Sequence, residues 1–140
     1  MKVLNHERTL TELDHVRLTH LLRRNKVDKT PFEQTPLTED TLDCALVVPA
    51  RQVSPDVVTM YSQVLLRDLA TGERRTLTLC YPAHANPNAS LVSVLSPVGS
   101  SLLGLTAGAI ARWTSPRGEQ GAAELLAVLF QPESSGDFTM

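Results

Sequence analysis

The stretch LVSVLSPVGSSLLGLTAG, Leu91 to Gly108, decides the fold. A short apolar strand, Leu91–Leu95, runs into Ser96-Pro97. The strand stops at Ser-Pro, and the small residues that follow read as one turn of helix over Val98–Leu103. Gly104 closes that turn and Gly108 permits the next. A strand that ends in a mini-helix between glycines projects an exposed edge suited to recognition. The same residues also serve as ordinary turn chemistry.

Working outward, the segments on both sides read as strands. Val57–Leu69 places Val58, Met60, Val64 and Leu66 against Thr59, Gln63 and Arg67, which predicts one long strand. Ala70-Thr71-Gly72-Glu73 is a turn, and Arg75–Tyr81 returns with Leu77, Leu79 and Tyr81 on one face. Pro82–Ser90 is a polar loop. Ala109–Thr114 and Ala122–Phe130 are two further strands joined at Ser115-Pro116-Arg117-Gly118, and fraying is expected from about Pro132.

The N-terminal third reads as helix. Thr11 is a good N-cap with Asp14 in the first turn, near the positive end of the helix dipole. Leu13, Val16 or Arg17, Leu18, Leu21 and Leu22 give an apolar stripe, and Arg23, Arg24 and Lys26 suit the far end. A helix of about 13 residues spans roughly 20 Å. Pro31 and Pro36 interrupt it, and Leu37–Ala45 begins a second short helix at Thr38, Glu39 and Asp40. The whole is an α+β chain. Residues 1–46 are expected to form a short antiparallel helical hairpin, and residues 47–140 an antiparallel sheet domain with one short helix.

Composition narrows the function classes. There are 13 Lys/Arg and 15 Asp/Glu in 140 residues, with both signs spread evenly along the chain. No part forms the basic surface that direct nucleic-acid binding requires. Aromatic residues are 4%, too few for a base-stacking platform. No apolar run is long enough for a membrane span or a signal core, so a cytoplasmic location is expected. Cys44 and Cys80 lie in apolar context and are expected as buried thiols.

Catalytic signatures are missing from the pattern. His6, His15, His20 and His84 do not converge with Cys80 into three or four ligands. Ser96, Ser100 and Ser101 lack a nucleophile motif, and there is no phosphate-binding glycine loop. The adjacent acids Glu39-Asp40 favour a helix start. No cofactor, metal or small-molecule substrate is expected.

Five segments occur in an order that carries a family resemblance. They are Asp56–Ser62, Leu77-Thr78-Leu79 with Tyr81-Pro82, Ser93–Gly99, Leu102–Leu105, and Gly108. Together they resemble the C-terminal domain of the Gre transcript-cleavage factors, and within that family the Rnk group of bacterial Gre-like regulators. The resemblance implies an FKBP-like sheet domain without isomerase activity. It also implies a helical hairpin and binding to RNA polymerase near its secondary channel. It places Ser96 and Pro97 at the contact with the channel rim, and Val98, Leu102 and Leu103 join that footprint by proximity. Gre hairpins carry an acidic pair at the tip that helps hold a catalytic Mg²⁺. Here the helix is short, and the tip around Asp28, Phe32 and Glu33 has no adjacent acidic pair. Ala109 also stands where an acidic residue often follows the glycine. The expectation is a non-enzymatic polymerase-binding regulator that competes with Gre factors without stimulating cleavage. The alternatives are a cleavage factor acting through Asp28 or Glu33, and a hydrolase or isomerase built on the sheet.

Overall fold

The computed structural model describes residues 8–28, 39–115 and 117–136. Strand β1 (Thr9–Thr11) leads into helix α1 (Glu12–Asp28), and helix α2 (Glu39–Asp43) leads into strand β2 (Leu46–Val48). β1 and β2 pair in parallel, Thr9 with Leu46 and Thr11 with Val48. This two-stranded sheet is not legible in the sequence, because three-residue strands carry too little alternation to register.

Residues 12–45 leave the sheet beside Thr11 and return to Leu46, which lies opposite Thr9. α1 is 17 residues long, about 25 Å as helix. His15 Nε2 lies 3.5 Å from an Asp43 carboxylate oxygen, tying α1 to α2.

Five strands form the second sheet, in the order β5-β4-β3-β7-β6. They are β3 (Gln63–Asp68), β4 (Arg74–Cys80), β5 (Leu91–Ser93), β6 (Ile110–Thr114) and β7 (Gln120–Phe130). Register shifts where β3 pairs with β7, irregularities that add twist and curl the sheet. The expectation of a purely antiparallel sheet is corrected at β4–β5, which pair in parallel. Helical turns at Pro82–His84 and Pro87–Ala89 carry the chain across before it returns. Helix α3 (Pro97–Leu102) follows β5.

The expected strand over Val57–Leu69 is half right, since only Gln63–Asp68 is strand. Val57, Val58 and Met60 are buried all the same. The break is a tight turn in which Ser62 N donates to Thr59 O at 3.0 Å and Thr59 N donates to Ser62 Oγ at 2.9 Å. Tyr61 sits there at φ 66°, the left-handed region. Val58 instead exchanges backbone hydrogen bonds with the α3 exit, donating to Leu105 O and accepting from Gly104 N.

One apolar cluster runs through both halves of the chain. Leu10, Leu18, Leu22 and Leu42 from the N-terminal part pack with Val58, Leu66, Leu79, Leu102, Leu103 and Leu125. Val16, an option for the inner stripe, is 54% exposed. Cys80 is buried as expected, whereas Cys44 is exposed because it follows the last turn of α2 on the solvent side. The fraying expected from Pro132 does not describe residues 132–136. Gln131 Nε2 donates to Ser54 O and Val57 O at 2.8 Å, and Thr59 Oγ1 donates to a Glu133 carboxylate oxygen at 2.7 Å.

Gly104 is the tightest junction between the two halves. It sits at φ 79°, and a Cβ there would lie 3.0 Å from Thr9 O and 3.1 Å from Thr9 N. Its own backbone accepts from Thr9 N at 2.9 Å and donates to Val58 O at 2.8 Å. Gly104→Ala is therefore expected to destabilise the protein by about 1–3 kcal/mol. Urea denaturation followed by the fluorescence of the single tryptophan measures it, and an unchanged midpoint would show that the junction yields freely.

Candidate functional site

α3 and its approach form the site. Ser96 has extended backbone angles, φ −72° and ψ 159°, and its Oγ accepts from Gly99 N at 3.1 Å. The same hydroxyl donates to Ser93 O at 2.7 Å, and Pro97 fills the first helical turn. Ser96 is thus the N-cap of α3, a role beyond the strand end that Ser-Pro marks in the sequence. The two other serines of α3 are turned inward. Ser100 Oγ donates to Pro97 O and Ser101 Oγ to Val98 O. Their hydroxyls satisfy carbonyls of the helix itself, an arrangement that serves the helix rather than a substrate.

The far end of α3 is capped from the N-terminal segment. One Arg8 guanidinium nitrogen donates to Ser100 O at 2.6 Å and to Leu103 O at 3.0 Å. A helix of six residues leaves most of its carbonyls without intrahelical partners, and a cation is favoured where they gather. The height of α3 above the sheet is thus set by both parts of the chain.

Burial separates the expected contact residues into two groups. Ser96, Pro97 and Val98 are half-buried and reach the surface. Leu102 and Leu103 are 0% exposed and belong to the core, a correction to their place in the footprint. α3 must bury one side to stay on the sheet, and these leucines are that side. A substitution at either reports on folding rather than on docking. Asp28 is the last residue of α1, while Phe32 and Glu33 lie outside the described residues.

Two open concavities flank Pro97. One, of about 460 Å³, has a floor of Leu77, Val92, Val98 and Trp113 beside Arg75 and Ser96. The other, of about 840 Å³, takes in Arg8, Asp68, Arg112, Trp113 and Gln120. Pro97 and Trp113 border both. The Trp113 indole lies flat against β7 at Gly121, where a Cβ would come within 2.4 Å of the ring. Trp113 borders both concavities and is not among the residues that the sequence reading singles out. Its signal was its position as the only tryptophan, on a strand paired to a glycine-bearing neighbour.

A second polar cluster lies where α1 meets the sheet domain. Thr11 Oγ1 accepts from Asp14 N at 3.1 Å, the expected cap. Asp14 itself, read from sequence as a dipole partner, is buried, and its Oδ2 accepts from Met60 N at 3.1 Å. Burial pushes its carboxyl up to about 6; the Met60 hydrogen bond opposes this, and the nearby Glu133 charge adds to it. Beside it, burial and the Asp14 charge push the Tyr81 hydroxyl up to about 12, with Arg17 acting the other way. Tyr61 and Tyr81 meet edge to face at 5.8 Å, and Tyr61 Oη lies 2.6 Å from His84 Nδ1. No group of three or more His, Cys, Asp or Glu side chains converges to hold a metal among the described residues. No described helix is long and apolar enough to cross a membrane.

The family model for the GreA/GreB transcription elongation factor C-terminal domain matches residues 52–129, which include the whole α3 region. The regulator of nucleoside diphosphate kinase from Escherichia coli K12 is 36% identical over 131 residues, covering 94% of this chain and 95% of that protein. Transcription elongation factor GreA from Chlorobium phaeobacteroides is 37% identical over 82 residues, 58% of this chain and 52% of that protein. Among solved structures, the transcription elongation factor GreA/GreB from Nitrosomonas europaea superposes with a TM-score of 0.69. It has 32% identity, over 88% of this chain and 99% of that one.

The buried Asp14 carboxyl has a definite consequence for stability. The folded protein holds the Asp14 proton up to about pH 6, against 3.8 for an ordinary aspartate. The stability associated with that proton is full below about pH 4 and is lost as pH rises through about 6. Asp14→Asn keeps an acceptor for Met60 N without the charge. Its stability relative to wild type is expected to rise by about 2–3 kcal/mol between pH 4 and pH 7, at 1.36 kcal/mol per pKa unit. Urea titrations at several pH values measure this, and a difference independent of pH would contradict it.

Proposed function

This chain belongs to the GreA/GreB transcription elongation factor family, and we propose that within it the protein is a non-enzymatic regulator of RNA polymerase. It occupies the rim of the secondary channel through the α3 face and competes there with Gre factors without stimulating transcript cleavage. The observation that carries this reading is the combination of a complete Gre-type C-terminal domain with a short arm. The matched domain holds the Ser96-Pro97 turn capped and rigid, with Ser96, Pro97 and Val98 reaching the surface. The described part of the arm is α1, 17 residues or about 25 Å as helix, with the short α2 on the return.

Residues 47–140 act as the docking unit, an FKBP-like sheet with α3 at its edge, and residues 1–46 act as a short helical hairpin. The sequence around Asp28, Phe32 and Glu33 has no adjacent acidic pair to hold Mg²⁺. Rigidity at α3 supports docking, because a contact surface fixed before binding loses less conformational freedom on association. No step of chemistry is assigned to the protein itself. The polymerase retains its own active site, and the regulator acts by occupancy.

Two measurements test the reading. Core RNA polymerase should retain the protein at micromolar concentration, and added GreA should displace it. On backtracked elongation complexes it should inhibit GreA-stimulated cleavage while giving none itself. Strong cleavage stimulation would instead favour a cleavage factor working through Asp28 or Glu33. Pro97→Ala removes ring contact from the proposed interface but leaves the Ser96 cap in place. It is expected to weaken polymerase retention about three- to tenfold with little change in thermal stability, and unchanged retention would move the interface off α3.

A further inference from the structure

Residues 131–136 follow β7 and lie beyond residue 129, where the match to the family's C-terminal domain ends. They are built into the protein all the same. Gln131 and Pro132 are buried. A helical turn at Glu133–Ser135 is tied by Ser134 Oγ, which donates to Gln131 O at 2.9 Å, and by Gly136 N, which donates to Glu133 O at 3.1 Å. Both partners of the Gln131 amide nitrogen, Ser54 O and Val57 O, are carbonyls and can only accept, so the nitrogen faces them and the amide oxygen faces away. That oxygen is buried and has no hydrogen-bond partner among the described residues. The contact forms although it leaves a buried acceptor unpaired, and such a contact opens at less cost than a fully satisfied one.

From this segment a relay of hydrogen bonds runs to the arm. The Thr59 hydroxyl donates to a Glu133 carboxylate oxygen at 2.7 Å. Its one proton is committed there, so in the 2.9 Å contact between the Thr59 and Ser62 hydroxyls the donor is Ser62. Thr59 N in turn donates to Ser62 Oγ at 2.9 Å. These bonds close the turn over residues 59–62, where Tyr61 is held at φ 66°. A residue with a side chain persists in left-handed backbone only when its surroundings hold it there. Met60 N belongs to the same turn and donates to Asp14 Oδ2 in the first turn of α1. The C-terminal segment thus lies against both connections between the arm and the sheet domain. It bonds to residues 54–59 ahead of the turn that receives α1, and it lies beside the helical turn Ala50–Gln52 that follows β2.

We propose that residues 131–136 are a clasp that governs the placement of α1. Closed, the clasp holds the 59–62 turn in the shape that offers Met60 N to Asp14. Drawn off the domain, it leaves the Thr59 hydroxyl, Ser54 O and Val57 O without these partners. The turn then relaxes and the Asp14 contact loosens. The C-terminal segment is in this way a control point for the arm, separate from α3. Glu133 also acts on Asp14 directly, through the repulsion of like charges. The hydrogen-bond relay works in the opposite sense, toward holding Asp14 in place. The clasp is internal to the chain and stands whatever α3 docks on.

Amide hydrogen exchange, followed by NMR on the full chain at a single pH, tests the clasp. Gln131→Met keeps the side-chain length and removes both donors. Glu133→Ala alters a half-buried side chain and is expected to fold, so it decides the matter if Gln131→Met does not. In each variant the Met60 amide should exchange about tenfold faster than in the wild type, or more. Glu133→Gln keeps an acceptor for Thr59 without the charge, and its Met60 amide should stay within about threefold of wild type. Val94 N and Leu125 N donate to Cys80 O and Ala109 O inside the sheet domain. Their exchange should stay within about twofold in every variant, which separates local release from lost folding. Coupling between two sites is reciprocal, so Asp14→Ala should speed exchange at the Gly136 amide about three- to tenfold. The inference is overturned if Met60 stays within about twofold of wild type in Glu133→Ala, or if Val94 and Leu125 accelerate there as much as Met60. It is equally overturned if Glu133→Gln matches Glu133→Ala, or if Gly136 does not respond to Asp14→Ala. None of these results bears on the polymerase reading.

Discussion

The guanidinium of Arg8 on the carbonyls of Ser100 and Leu103, with Gly104 packed against Thr9 beside it, is the constraint on which the arrangement rests. α3 is a six-residue helix, too short to be stable alone. It persists because Ser96 caps one end, Arg8 caps the other, and Leu102 and Leu103 fill the core beneath. The arm and the sheet domain therefore meet at α3. Any change that loosens β1 removes the cap on α3 as well.

A second connection runs through Asp14. Its carboxylate takes the Met60 amide in the turn that ends the buried segment Val57–Met60, and Tyr61 follows in left-handed backbone. Leaving that amide unpaired in the interior would cost more than the hydrogen bond contributes, so a buried acid is tolerated there. Together Arg8 and Asp14 hold α1 against the domain from two sides. The direction in which the arm leaves the sheet is set by these contacts rather than by the apolar stripe alone.

Much of the site was legible because it is local. The turn of helix after Ser96-Pro97 and the Thr11 cap of α1 rest on bonds three residues apart, although the Ser96 cap itself is not read from the sequence. The strands at Gln63–Asp68, Arg74–Cys80 and Gln120–Phe130 follow from alternation. The inward or outward direction of α3's leucines was not legible. A helix of fewer than two turns has too few residues for a stripe to declare itself, and Leu102 and Leu103 were placed outside when they lie inside. Trp113 was passed over for a related reason: its importance comes from Pro97 and Gly121, which are distant in sequence.

The family relation reaches further than the composition, because several short segments in one order are far more specific than any single one. The sequence by itself determined the α+β class, the turn of helix after Ser96-Pro97 and the Gre-type domain. Each depends on neighbours within a few residues or on the order of segments. Tertiary structure alone decided that β1 and β2 pair in parallel. It also decided that Asp14 is buried against Met60, and that Trp113 borders the same concavities as Pro97. Those outcomes depend on which distant backbone groups and surfaces meet, and that is settled only when the core closes.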